Sequence, residues 1–521
     1  MRSTARILSM VAILAGAGMF RSARAEPTAT ARPNVLLIYT DDQPYKTVGC
    51  YPEAPGWVRT PNIDRLAASG IRFHRAYLGS WCMPSRATML TGRLPHGIAS
   101  MRMDGEYPGS TYDPARTPFW PAVARRQGYH TAQIGKWHTG TETGYGRDWD
   151  YQVVWNRPAH PDNAGRYYDD QVLAFNGQER RVSGYSTDHY TRWAVEYIRG
   201  AHRDAGKPWY LWLCYGAVHG PTLPAPRHRG TYAGQTVPIP ADIFGPRPDK
   251  PAYLDTTQAW EPGPQGRPMM KSRAPRKGNF DKDEPGLDFQ AWVQQVNECA
   301  RAIDEGVGQL LDAVDQTGQR GNTLVVFTAD QGFALGEHGL SMKVAPYDAA
   351  IASPLIVSQP GTLPRGKVCR QAVNSADLVA TFCARTGITV PWVLHGHDLS
   401  PLLQDSETTA WAHPMLMENL GYHYGPETRA IPTGPALTEN GGVPWWVLLR
   451  DGRFKYIRTL ASGELEELYD LDADPEELHN LAIRPEHGAR LATLRARTIA
   501  ELRRTEAPFV DALPPVQSPG R

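Results

Sequence analysis

Three runs of apolar residues, each closed by a short polar cluster, constrain the fold of this chain more than any other feature. Asn34-Val35-Leu36-Leu37-Ile38-Tyr39 leads into Thr40-Asp41-Asp42. Trp209-Tyr210-Leu211-Trp212-Leu213-Cys214-Tyr215 precedes Ala217-Val218-His219-Gly220-Pro221. Thr323-Leu324-Val325-Val326-Phe327-Thr328 leads into Ala329-Asp330-Gln331-Gly332. Unbroken apolar runs, without alternation, mark strands buried on both faces, as in a parallel sheet covered by helices. Open sheets of this kind bind ligands beyond the carboxyl ends of their strands, so the three polar clusters are expected to converge. Residues 62–69 and 289–317 carry helical spacing between the runs. The expectation is an α/β fold around a mostly parallel central sheet.

At 521 residues the chain exceeds one ordinary domain. After about residue 400 the pattern changes. Stretches 445–449, 454–458 and 468–471 read as short strands of an antiparallel sheet, and 484–502 as a closing helix. The division expected is a catalytic domain over 26–400 and a smaller α+β subdomain over 401–521. Residues 221–285 hold 13 of the 45 prolines and no sustained periodicity. A long loop insertion over the surface and a disordered excursion both fit that composition.

Residues 1–25 read as a secretory signal peptide: Arg2 and Arg6, an apolar run over 7–20, then Ala23-Arg24-Ala25 before Glu26. The run is too short for a membrane span. Its removal takes away four arginines and no acid, so a net charge of +1 becomes −3. Neither value suits a nucleic-acid binder. The expected location is periplasmic or secreted. Six cysteines in an exported chain leave disulfides open, but at this density core burial must hold the fold.

Asp41, Asp42 and Asp330 each follow a buried strand. Asp commonly caps a helix or turn, but three carboxylates converging at strand ends suit a hard divalent cation with oxygen ligands. No histidine cluster accompanies them, which argues against zinc. Ca²⁺ is the first choice and Mg²⁺ the second. Cys82-Met83-Pro84-Ser85-Arg86 taken alone is a cysteine beside a proline-terminated turn. Lys136 and His138, two apart on a strand, would share one face.

The stretch from Cys82 to Arg86, continued by Ala87-Thr88-Met89-Leu90-Thr91-Gly92-Arg93, resembles the maturation signature of type I sulfatases, members of the alkaline-phosphatase-like superfamily. Other segments carry the same resemblance: Thr60-Pro61-Asn62-Ile63-Asp64-Arg65-Leu66-Ala67, Gly135-Lys136-Trp137-His138-Thr139-Gly140, Val218-His219-Gly220-Pro221 and the 469–482 segment. Leu335-Gly336-Glu337-His338-Gly339-Leu340 followed by Lys343 resembles the iduronate- and choline-sulfatase-like branch. The resemblance implies an α/β sandwich with a smaller C-terminal α+β subdomain. It also implies that a maturation enzyme oxidises Cys82 to formylglycine, whose hydrate attacks sulfur with one hydroxyl and expels sulfate through the other.

By the same resemblance the metal would be held by Asp41, Asp42, residue 82, Asp330 and Gln331. Asn or His is usual where Gln331 stands, and its extra methylene changes the reach. Arg86 and Lys136 would hold sulfate and diol oxygens, and His138 would take the diol proton. His219 would contact sulfate near the leaving group, and Lys343 would stabilise charge on the bridging oxygen. Export with this chemistry implies a sulfated saccharide, such as a glycosaminoglycan or algal glycan, as substrate. Two alternatives stay open: hydrolysis of phosphonate monoesters or phosphodiesters at the same site, and a non-catalytic sugar-binding relative. The 221–285 stretch and Gly421-Tyr422-His423-Tyr424-Gly425 are the candidates for selectivity.

Overall fold

The computed structural model describes residues 32–99, 113–156, 163, 165–271 and 288–516. The segment read as a signal peptide and residues 272–285 of the proline-rich stretch lie outside the described residues. The three apolar runs become strands Asn34–Thr40, Trp209–Cys214 and Thr323–Ala329, buried at every position. They lie side by side in a sheet of 11 strands. Five neighbours are parallel, in the spatial order Thr323–Ala329, Asn34–Thr40, Trp209–Cys214, His130–Lys136, Tyr151–Trp155. The register pairs Thr40 with Ala329, so Asp41 and Asp330 are the next residues on two adjacent strands.

Ser353–Ser358 runs antiparallel to Thr323–Ala329, and Ile71–Tyr77 antiparallel to Ser353–Ser358. Two reversals return Ile71–Tyr77 to the direction of the central five. Its carboxyl end, and with it Cys82, therefore meets the same edge as the three polar clusters.

Helix signals are local. Asp288 accepts from the Ala291 N–H and starts Phe289–Gln316. Asn374 and Asp377 cap Ser375–Thr386 reciprocally. Phe289–Gln316 packs against Pro61–Ala68 and Ser186–Ile198, and Cys82–Thr91 against Ser375–Thr386 and Trp120–Arg126.

A second sheet of four antiparallel strands contains Met415–Asn419, Trp446–Asp451, Phe454–Thr459 and Glu466–Asp470. Alternation along Trp446–Asp451 splits its side chains between two cores. Trp446 and Leu448 join the main core, while Val447 and Leu449 pack with Leu491, Leu494 and Leu502 of the closing helix Gly488–Arg504. A buried ionic cluster joins the two sheets. Lys455 Nζ lies 2.8 Å from Asp348 Oδ1 and 2.7 Å from Glu477 Oε1, with Arg75 and Arg450 on the same aspartate.

All six cysteines are free thiols, so no disulfide braces this fold. The described part of the proline-rich stretch is packed: Ile243, Tyr253 and Trp260 enter the main core, and the Trp260 indole donates to the Leu340 carbonyl at 3.0 Å. A hairpin of Trp260–Pro262 with Pro268–Met270 gives it local order.

Candidate active site

Cys82 opens helix Cys82–Thr91 and is buried. The turn that delivers it needs a glycine at position 79, where a Cβ would come within 1.9 Å of Ser85 Oγ. Cys82 Sγ lies 3.3 Å from Asp41 Oδ1, 3.1 Å from Lys343 Nζ and 3.5 Å from Gln331 Nε2. One turn along the helix, Arg86 donates to Asp330 Oδ2 at 2.9 Å and to the Lys136 carbonyl at 3.1 Å, with Asp41 Oδ1 3.9 Å away.

Lys136 ends its strand, and its ammonium donates to Asp41. Gly135 before it has φ +101°, and a Cβ there would strike the Cys214 carbonyl at 1.9 Å. Asp42 and His138 both hold a left-handed φ of 57°, uncommon for non-glycine residues and typical of sites where side chains are turned to a task. The Asp42 N–H donates to Asp330 Oδ1 at 3.0 Å, locking the two strand ends together. Lys343 reaches both Asp42 oxygens at 2.7 and 2.8 Å. His219 Nε2 lies 3.6 Å from Asp42 Oδ2. His138 sits beside Trp81, the residue before Cys82, with ring centroids 6.5 Å apart.

Three carboxylates and three permanent cations are thus buried together, and their charges do not titrate alike. Burial pushes Asp41 up, but the permanent charges of Lys136, Arg86 and Lys343 outweigh it and hold the group well below the usual carboxylate range. Burial, then Asp41, pushes Asp330 up to about 7. Asp42 is raised by burial despite Lys343 beside it. Burial and then Lys343 hold His219 well below its ordinary value, so the ring is neutral. Burial, then Asp41, pushes the Cys82 thiol up to about 12. With no cation in the site, an unmodified thiol there stays protonated at neutral pH and is a weak nucleophile.

Asp41, Asp42, Cys82 and His219 each direct a ligand atom into one cluster, all within 4.8 Å of one another. With Asp330 and the Gln331 amide beside them, the donors are mainly oxygens, and burial and neighbouring acids hold two of the carboxylates above their usual range. That set fits a hard divalent cation, whose charge would relieve the crowding. Gln331 now donates its amide nitrogen to Asp42 and accepts from Ser85 Oγ at 3.2 Å, so its oxygen ligates only after an amide flip. His219, expected to converge with the acids but assigned to the sulfate and not to the metal, adds one nitrogen to this cluster.

Tyr167 and Tyr168 were not foreseen. The Tyr167 ring stacks on His219 at 4.0 Å, and the Tyr168 hydroxyl donates to the His219 carbonyl at 2.7 Å. They come from an irregular segment with no periodicity to mark them. Trp81 and Tyr422 meet edge to face at 5.3 Å, which brings the 421–425 loop next to the start of the Cys82 helix.

A mostly parallel sheet with acids, fixed cations and a helix-opening cysteine gathered at one edge is the architecture of an alkaline-phosphatase-like hydrolase. The sulfatase family model matches residues 33–388, and the model for the C-terminal part of N-sulphoglucosamine sulphohydrolase matches 336–505. The chain therefore belongs to the sulfatase family, hydrolases of sulfuric esters. It is 28% identical over 519 residues to an N-acetylglucosamine-6-O-sulfatase of Bacteroides thetaiotaomicron, covering 92% of this chain and 87% of that one. It is 26% identical to a choline-sulfatase of Rhizobium meliloti, covering 90% and 86%. A protein solved in complex with its substrate D-glucosamine-2-N,6-O-disulfate shares the fold with a TM-score of 0.73 at 23% identity, over 91% of this chain and 98% of that one. Among the described residues no helix is long and apolar enough to cross a membrane.

Proposed function

We propose that the chain is an exported carbohydrate sulfatase that uses a formylglycine made from Cys82. The divalent cation, calcium first and magnesium second, would be held by Asp41, Asp42, residue 82, Asp330 and Gln331. The observation that carries this proposal is the setting of Cys82 Sγ, 3.1 Å from Lys343 Nζ and 3.3 Å from Asp41 Oδ1, in a pocket that keeps a plain thiol protonated. Such a pocket suits a converted side chain better than a cysteine nucleophile.

The hydrated aldehyde would supply one oxygen to attack sulfur and a second whose deprotonation releases sulfate, and the cation would supply positive charge to the sulfate oxygens. The chain's own groups do the rest. Arg86, Lys136 and Lys343, paired in this structure with Asp330, Asp41 and Asp42, bring three permanent positive charges to the place where the anion would be held. Lys136 holds oxygens of residue 82 and of the sulfate, and His138 takes the proton of residue 82. His219 contacts the sulfate near the leaving group, and Lys343 stabilises charge on the bridging oxygen. Residues 1–25 would direct export to the periplasm or beyond, and a maturation enzyme of the producing cell would convert Cys82.

A 6-O-sulfated N-acetylglucosamine is the first substrate to try, on the strength of the Bacteroides relative. The test combines mass spectrometry of the peptide holding residue 82 with rates on that sugar, choline sulfate and an aryl phosphodiester. An aldehyde at position 82 with sulfate release from the sugar supports the proposal. An unmodified cysteine in active protein, or faster phosphodiester cleavage, overturns it.

A further inference from the structure

Tyr167 is 1% exposed and touches two of the groups assigned above. Its ring lies parallel to the His219 imidazole, 6° apart in plane and 4.0 Å between centroids. Lys136 Nζ lies 5.1 Å from the same ring. The ring is itself held, with Trp155 packed on it at 4.6 Å, and the Tyr167 carbonyl accepts from Ser186 Oγ at 2.8 Å.

His219 is fixed at its backbone by the Tyr168 hydroxyl and at one ring edge by Nδ1–H, which donates to the Gly220 carbonyl at 2.6 Å. The Nε2 edge faces Asp42 Oδ2 at 3.6 Å and the Tyr167 hydroxyl at 3.3 Å. Because the two rings are parallel, that hydroxyl lies over the imidazole and not along its in-plane lone pair, which makes the hydrogen bond weak. The terminal torsion of a histidine is broad and does little to hold the ring plane. With Nδ1 held by Gly220, the stack is the contact across the ring face that opposes a tilt of the imidazole out of its plane.

We infer that Tyr167 is a positioning residue for sulfate-ester cleavage: its flat ring fixes the plane of His219 and keeps His219 and Lys136 in register across the anion site. The inference rests on the sulfatase assignment of this site. It separates the two properties of a tyrosine, since the ring matters and the hydroxyl matters little.

The experiment uses matured full-length enzyme and two esters, a nitrophenyl sulfate with a good leaving group and a sulfated sugar with a poor one. Y167F should keep kcat within about threefold, the worth of a weak hydrogen bond. Y167L should lose about 10²-fold in kcat on the sugar, the scale of a roughly 1 Å misplacement, and clearly less on the aryl ester, with KM little changed. Y167M serves as a second non-planar variant should Y167L not fold, and thermal midpoints are read for each. Parent-like kcat in folded Y167L or Y167M, equal damage in Y167F, or an equal loss on both esters would overturn the role of Tyr167. A parent that bears the aldehyde and cleaves neither ester would overturn the sulfatase assignment and this inference with it.

Discussion

Lys343 binds both carboxylate oxygens of Asp42, at 2.7 and 2.8 Å, and at the same time stands 3.1 Å from Cys82 Sγ. One ammonium thus spans a proposed metal ligand and the proposed nucleophile. Lys343→Ala should leave the protein folded and lower kcat by about 10²–10³-fold, the cost of removing one preorganised donor to developing charge. Steady-state rates on a sulfated sugar, beside a thermal midpoint within a few degrees of the parent, would check this. Undiminished kcat would show that Lys343 serves only to neutralise Asp42.

Calcium should stabilise the folded chain because its proposed ligands converge only after folding. At a hundredfold excess over Kd the gain is about 2.7 kcal/mol. Chelation should lower the thermal midpoint and abolish turnover, with calcium restoring both more fully than magnesium. In Asp42→Asn the calcium-dependent rise should shrink or vanish. An equal rise in parent and variant would place the ion elsewhere.

The cluster around Asp348 predicts a stability effect remote from the site. Lys455→Met leaves Asp348 and Glu477 short of a buried cation, and should cost about 3–5 kcal/mol by denaturant titration. Burial pushes Asp348 up, but Lys455, Arg450 and Arg75 outweigh it and hold the group below its ordinary range. A depressed carboxylate contributes stability above its unfolded value, and that contribution is lost as pH falls through the folded one. Stability should therefore drop on acidification below about pH 4 in the parent, and less steeply in the variant. Identical pH profiles would remove Lys455 from the account.

Tyr422, edge to face with Trp81, predicts an effect on selectivity. Tyr422→Ala should change relative kcat/KM among sulfated sugars by about tenfold and leave a small aryl sulfate nearly unaffected, as expected for a leaving-group contact. Uniform loss across all esters would instead mark Tyr422 as a support for Trp81.

The central strands and their acids were legible because a doubly buried strand writes itself as an unbroken apolar run, and Asp41, Asp42 and Asp330 are the residues that end such runs. His219 lies in the polar cluster after a third such run, whereas Lys136 and Lys343 carry no local mark of that kind; only their order relative to a family pattern singles them out. Tyr167 left no trace, since its partners lie 31 residues before it and 52 after, in Lys136 and His219, and meet only when the sheet closes. Strand Met415–Asn419 was missed for a different reason. It is buried at every position, with no β-branched residue, and Glu418, its fourth residue, is satisfied by His96 from far along the chain.

Next to Lys343, the Val344 N–H donates to the Ser80 carbonyl at 3.0 Å and its own carbonyl accepts the Trp446 indole at 2.8 Å. A tryptophan from the last quarter of the chain is thereby clipped to the neighbour of one candidate-site lysine. A gene cut after the large sheet would encode most of the charged residues yet deliver them without this clip. Premature stop codons that fall before codon 446 should therefore behave as loss-of-function alleles, and attempts to shorten the enzyme should keep this tryptophan.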